Sequence, residues 1–380
     1  MPGPLEGYKV VEMAEGVGGP YVSMEMGDAG ASVVKIERPE GDRARGWGSK
    51  AAGDLGATFV SLNRSKRGVS LDPESAEGVA AAKKLLADAD VVVYDAGWTE
   101  NPELTPEAIM ALNPKAIVLV ISAVGGQGPW ANYPPYAELG AQMTSEASLS
   151  LGTPGAPPVR IGNDNGAMYA GIYGLQAVCA ALVARDEKGG QRIDTSAFGT
   201  LIAMRSTLWA AQSNPDEWWG FHLDSYIKPP DNGYHCKDGA VSFNLGRMSR
   251  EERDEMYKAF NMEWVKDDPM FAIVDEDPAG SGSRYGYLVR PVWEKALKNF
   301  TRAEVIEIGR RFGATVFEKQ DYAEFTNSDQ VKAVGMFTEL DTPGFGRVKA
   351  QIPPWDFSET PAAIQSPAPT LGQHNAELLK

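Results

Sequence analysis

The sequence predicts an α/β protein: a parallel sheet with helices on both faces, followed by a second, smaller α+β domain. Three observations carry this. Apolar, β-rich runs alternate with helix-length segments through the first third of the chain. Those runs are nearly continuously apolar, as parallel strands buried on both faces should be. At 380 residues the chain is long enough to bury more than one core.

The elements follow in order. YKVVEM (8–13) and SVVKIE (32–37) read as strands separated by a helix-length segment. VVVY (91–94) and AIVLVIS (116–122) read as two more, preceded by the helical patterns PESAEGVAAAKKLLADA and TPEAIMALN. GGQGPWANYPP (125–135) is a turn-rich loop, and a helix is expected at roughly 136–150. A second, almost wholly apolar helix covers 166–185; a helix apolar all round is expected to be buried, with Cys179 as a core residue. QRIDTS (191–196) reads as a strand, followed by a helix to about 213. The chain then turns aromatic and irregular. YHCKDGAVSF reads as a hairpin with an Asp-Gly turn, and EERDEMYKAF, RPVWEKALKNF and TRAEVIEIGRRF as helices. The domain boundaries expected are 1–215, 220–325 and a Pro-punctuated C-terminal segment, 326–380, returning to the first domain.

Composition narrows the function. A net charge of −15 disfavours nucleic acid and anionic membranes as partners. No uninterrupted apolar run is expected to span a bilayer. The N-terminus lacks a basic region followed by an apolar core, so a cytoplasmic location is expected. Cys179 and Cys236 make no disulfide framework, and the three histidines, His222, His235 and His374, lack metal-ligand spacing, so no metal is expected. EGVGGP (15–20) is Gly-rich but too loose for a dinucleotide fingerprint.

An ordered set of motifs spans nearly the whole chain. LEGYKVVEM opens it, followed by GGPYVSMEMGDAGASVVKIERPEGD (18–42), SLNRSKRGVSLD (61–72) and SAVGGQGPW (122–130). Glu138 and Gln142, then GLQAVCAALVARDEKGGQRID and the terminal LGQHNAELL, complete it. In this set the chain resembles the class III CoA-transferases. The resemblance implies a Rossmann-like large CoA-binding domain, a small domain and two interlocked chains. It implies a reaction that passes CoA from an acyl-CoA such as succinyl-CoA to a carboxylic acid. An aspartate would attack the thioester and carry a mixed anhydride, splitting one hard step into easier ones.

The position of that aspartate falls on Ala167, four residues before Gly171. Asp164 lies close by and is the alternative nucleophile, although that register needs about a one-turn insertion; Asn163–Asp164–Asn165 also suits a helix N-cap. Glu138 is the candidate to orient the anhydride or the acceptor carboxylate. For CoA the resemblance points to Val17, Arg38, Asn63, Arg64, Lys66, Arg67 and Asp95, the basic ones suiting phosphate and ADP contacts. A solvated surface cluster is the alternative for the basic turn. Where the family shows Glu-Asn-Phe-Arg, this chain has Tyr94-Asp95-Ala96-Gly97, and Glu15 and Val17 also depart from its usual residues.

These departures favour a subunit without the nucleophile, paired with a paralogous chain that bears it. The alternatives are an Asp-to-Ala variant of a homodimeric enzyme and an enzyme using Asp164. An acyl-CoA racemase shares the fold and needs a histidine, and none occurs in residues 1–221. Trp218, Trp219 and Phe221 admit an aromatic acceptor or simply a core.

Overall fold

A computed structural model describes residues 3–50, 55–131, 164–204, 206, 233–244, 248–269 and 286–380. The expected helix at 136–150 and the aromatic run at 214–232 lie outside them. The strands are β1 (Lys9–Met13), β2 (Ser32–Glu37), β3 (Arg67–Ser70), β4 (Val91–Asp95), β5 (Ile117–Ser122), β6 (Gln191–Ser196), β7 (Tyr234–Cys236), β8 (Gly239–Asn244), β9 (Thr315–Lys319), β10 (Phe337–Thr342) and β11 (Gly346–Gln351). The main helices are α1 (Gly18–Asp28), α2 (Ala57–Leu62), α3 (Ala76–Leu86), α4 (Pro106–Leu112), α5 (Asn165–Lys188), α6 (Ala197–Ala203), α7 (Arg250–Ala259), α8 (Gly286–Leu297) and α9 (Arg302–Arg311).

The chain divides into two compact units. The first comprises Met1–Ser145, Gly162–Arg205 and Lys332–Lys380. It holds a six-stranded parallel sheet in the order β3-β2-β1-β4-β5-β6. This is the doubly wound arrangement, in which the winding direction reverses between β1 and β4. Successive side chains of a strand point to opposite faces. Val11, Val34, Val92 and Val118 therefore join α3 and α4 in one core. Val10, Val33, Val91, Val93 and Leu119 join α1 and α5 in the other. The outer edge of β3 is covered by the C-terminal segment: Gly68 N–H donates to His374 Nδ1 at 3.0 Å and Ser70 N–H to Asn375 Oδ1 at 2.9 Å. An otherwise open strand edge is thereby closed.

The second unit, Glu146–Ile161 with Ser206–Val331, contains the antiparallel sheet β7-β8-β9 and helices α7 to α9 around Phe243, Met256, Phe260, Trp293 and Val316. The expected hairpin forms with Lys237-Asp238 as its loop, and Gly239 begins β8. β9 escapes sequence reading because only Val316 of its five residues is buried, leaving no alternation to detect.

Helix α5 corrects two expectations. It is 24 residues long and apolar enough to cross a membrane on length and composition alone, whereas no such run was expected. It is also buried on one face only, through Gly166, Ala167, Ala170, Gly171, Gly174, Val178 and Ala181. Ile172, Gln176, Cys179, Ala180 and Val183 lie on the outer face and are exposed, Val183 at 87 %. Cys179 is thus not a core residue: it faces away from the small-residue stripe that docks on the sheet.

Charges buried inside the parallel strands tie β1, β2 and the following turns together. Glu12 and Lys35 are direct neighbours in the β1–β2 register. Lys35 Nζ lies 2.6 Å from Glu12 Oε1 and 2.8 Å from Asp42 Oδ2, and donates to the Ala14 carbonyl at 2.7 Å. Lys66 Nζ lies 2.7 Å from Glu12 Oε2 and donates to Asn63 Oδ1 and the Pro20 carbonyl. Burial alone would depress Lys35, but Asp42, Glu12 and Glu37 outweigh it and raise its pKa. Burial pushes Lys66 down to about 8 against the pull of Glu12. A Lys35→Met variant would remove the ion-pair partner of Glu12 Oε1 and of Asp42 Oδ2 in a buried site and is expected to cost about 3–5 kcal/mol. The measurement is urea unfolding, where a lowered midpoint at unchanged slope is expected; an unmoved midpoint would show the network to be dispensable.

Candidate functional site

In doubly wound sheets ligands bind beyond the carboxyl ends of the strands where the winding reverses. Here that place is framed by the β1–α1 turn (Ala14–Val17), the segment after β2 (Arg38–Arg43) and the segment after β4 (Asp95–Trp98). Val17 is the N-cap of α1 and makes no side-chain cap. Ala167 belongs to the first turn of α5 and packs with Val17, Met24 and Leu62, flanked by Tyr21 and Met168. Glycines permit this close crossing. A Cβ on Gly18 would stand 3.2 Å from the Ala167 carbonyl oxygen, and one on Gly171 would stand 3.0 Å from the Gly18 carbonyl oxygen. The Ala167 position is therefore brought to the reversal point, in apolar surroundings.

Asp164 is the N-cap residue of α5, partly exposed, and its side chain makes no capping hydrogen bond. Glu138 lies outside the described residues.

The β1–α1 turn is held by carboxylates from two other crossovers. Glu15 N–H donates to Asp95 Oδ2 at 2.8 Å. Gly16 N–H donates to Asp42 Oδ1 at 3.0 Å, and the same oxygen accepts from Ala44 N–H at 2.7 Å. Burial pushes Asp95 up to about 7, against the Glu15 amide and Arg43. Glu15 is raised by burial and by Asp42, with Arg38 opposing. The Arg38 guanidinium lies 5.4 Å from the Trp98 ring centre and 4.0 Å from Glu15 Oε1, and its Nε has no hydrogen-bond partner. Of the basic residues assigned to CoA, Arg38 is the one placed at the strand reversal with donor capacity to spare.

The others are committed elsewhere. Arg64 is 2 % exposed and pairs with Asp28, whose other oxygen accepts from Ser65. Lys66 and Asn63 are spent on Glu12, the Pro20 and Phe59 carbonyls and each other. Arg67 sits on the edge strand with Glu377 and Ser32. Three of the four members of the basic turn, Asn63, Arg64 and Lys66, are buried and make contacts within the chain, so the turn is not a solvated cluster. Sequence reading missed Glu12, Lys35 and Asp42 altogether. The available signal was a charged residue inside each of two strands buried on both faces, which requires a partner.

One turn beyond Tyr21, Glu25 is 3 % exposed and its Oε2 lacks a hydrogen-bond partner. Burial and the nearby Asp28 push it up to about 7. Among the described residues no group of three or more His, Cys, Asp or Glu side chains is arranged to hold a metal ion.

Comparison with known proteins places this geometry in a family. The model of CoA-transferase family III matches residues 5–375. The beta subunit of succinyl-CoA–L-malate CoA-transferase from Chloroflexus aurantiacus is 28 % identical, over 99 % of this chain and 93 % of that one. Succinate–glutarate CoA-transferase from Agrobacterium fabrum is 26 % identical, over 99 % and 95 %. A crystal structure of a CAIB/BAIF family protein from Brucella suis superposes with a TM-score of 0.83 at 25 % identity, covering all of both chains.

The Glu25 carboxyl sets a pH dependence. Its folded pKa stands above its ordinary value of 4.5. The unfolded chain therefore loses this proton first, and stability falls as pH rises from 4.5 to about 7 and is then flat. Glu25→Gln is expected to remove roughly 3 kcal/mol of that fall, measured as urea unfolding free energy across the interval. An unchanged slope would show that Glu25 ionises normally.

Proposed function

The chain belongs to CoA-transferase family III, and on that premise we propose that it serves CoA transfer from an acyl-CoA such as succinyl-CoA to a carboxylic acid, as the subunit without the nucleophilic aspartate. The observation that carries this is Ala167. It stands beside Val17 and Gly18 at the strand reversal, packed among Met24 and Leu62, and offers no nucleophile. A mixed anhydride cannot form there. The carboxylate would come from a paralogous chain, as cytoplasmic partner in an interlocked dimer.

Two observations support a partner. The outer face of α5 presents Ile172, Cys179 and Val183 to solvent, an apolar stripe of the kind a second chain covers. The Chloroflexus relative is by name one subunit of a transferase. In this reading Arg38 binds the acyl-CoA, with Val17 and the backbone of the β1–α1 turn shaping the pocket, and Glu138 orients the acceptor. A second reading, self-sufficient catalysis through Asp164, draws on that side chain's freedom from any cap. A third is a homodimeric enzyme in which alanine replaces the aspartate.

The test is intact-mass spectrometry of the purified chain after incubation with succinyl-CoA, with hydroxylamine to trap any anhydride. No adduct is expected. Turnover is expected to lie on the order of 10⁴-fold or more below that of the chain joined with its Asp-bearing partner. An adduct on Asp164, abolished by Asp164→Asn, would overturn the subunit reading. Full activity of an Ala167→Asp homodimer would assign the chain to the homodimeric enzymes instead.

A further inference from the structure

Two buried polar groups on separate elements open onto one small cavity. The turn after α2 brings Arg64 against the β10–β11 hairpin, and a cavity of about 30 Å³ lies between them. Arg64 is 2 % exposed, and its Nη2, although 2.8 Å from Asp28 Oδ2, makes no hydrogen bond. Thr342, at the end of β10, is 4 % exposed, and its hydroxyl has no hydrogen-bond partner either. Both side chains line the cavity. A buried polar group left unpaired is costly, so two on one cavity call for a ligand that satisfies both.

We propose that this cavity is a binding site for one small monovalent anion of chloride size, held by Arg64 Nη2 and the Thr342 hydroxyl. Size and charge both select it. A cavity of about 30 Å³ admits a single monatomic ion and is too small for phosphate or a carboxylic acid. The other polar side chains on its wall are Ser61, Lys349 and Gln351, and among the described residues no carboxylate lines it. Arg64 Nη2 can only donate, and Lys349 adds a second positive charge. The Ser61 hydroxyl already gives its proton to the Thr58 carbonyl at 3.1 Å. Asp28 and Glu25 act on Arg64 from α1, but neither borders the cavity. A bound anion would tie the hairpin to the turn after α2, segments far apart in sequence. It would add to the hydrogen bond from Ser65 N–H to the Ser366 carbonyl at 2.8 Å. The site does not depend on the CoA reading above.

The experiment is thermal unfolding of the full chain at constant ionic strength, with sodium gluconate replaced stepwise by sodium chloride. Gluconate is too large for the cavity. Once the site fills, the midpoint is expected to climb with the logarithm of chloride concentration, by about 2 °C for each tenfold increase. Thr342→Val keeps the shape of the side chain and removes its hydroxyl. Ala350→Val fills the cavity without touching either polar group. Both variants are expected to lose most of the climb, whereas Thr342→Ser, which keeps the hydroxyl, retains it. No climb in the wild type, or an equal climb in either valine variant, would overturn the proposal and leave the cavity to water. If the valine variants do not fold, anomalous diffraction from wild-type crystals grown in bromide decides. A bromide peak between Arg64 Nη2 and Thr342 Oγ1 is expected, and its absence would overturn the site.

Discussion

The ion pair between Glu12 and Lys35 is the constraint from which the rest of the first unit follows. Both side chains are fully buried, in adjacent parallel strands, at directly paired positions. Neither could be there alone, because an unpaired charge in such a site is strongly unfavourable. Lys35 then needs more acceptors than Glu12 supplies, and takes Asp42 and the Ala14 carbonyl. Asp42, so fixed, holds Gly16 N–H. Glu12 has a second oxygen, and Lys66 and Ser23 share it. One charge pair thus sets the turn after β1, the turn after β2 and the entry to β3.

The consequence for the site is that its backbone is shaped by internal charges and its basic residues are largely consumed by them. The β1–α1 turn is pinned by Asp95 and Asp42, the crossing of α1 and α5 by Gly18 and Gly171. Ala167 arrives at the strand reversal as a small apolar residue among Val17, Met24 and Leu62. Arg38, stacked near Trp98 with its Nε free, keeps a charge available at the rim. A crevice built this way has the family's architecture.

Helix α5 shows how composition misleads about burial. Its apolar residues run round the whole cylinder, but glycine and alanine concentrate on one side and Ile172, Cys179 and Val183 on the other. Small residues let the helix lie close to α1 and β5, so that face wins the sheet. The larger apolar face is left to solvent within this chain.

Strands β1, β2, β4 and β5 are legible in the sequence as largely apolar runs between turn residues, whereas β3 (RGVS) and β6 (QRIDTS), at the two edges of the sheet, are not such runs. The sequence by itself also determined the family, through motifs in order, and the alanine at position 167. What tertiary structure alone decided is the fate of the charges. Lys66, Arg64 and Asn63 look like ligand contacts in a linear reading. Lys66 and Arg64 become internal partners because Glu12 and Asp28, distant in sequence, are folded against them, and Asn63 is held by the Phe59 carbonyl and Lys66. Asp95 likewise reaches the β1–α1 turn only because β4 lies beside β1. Hydrophobic periodicity is local and survives in a single sequence, whereas the pairing of buried charges depends on which strands become neighbours.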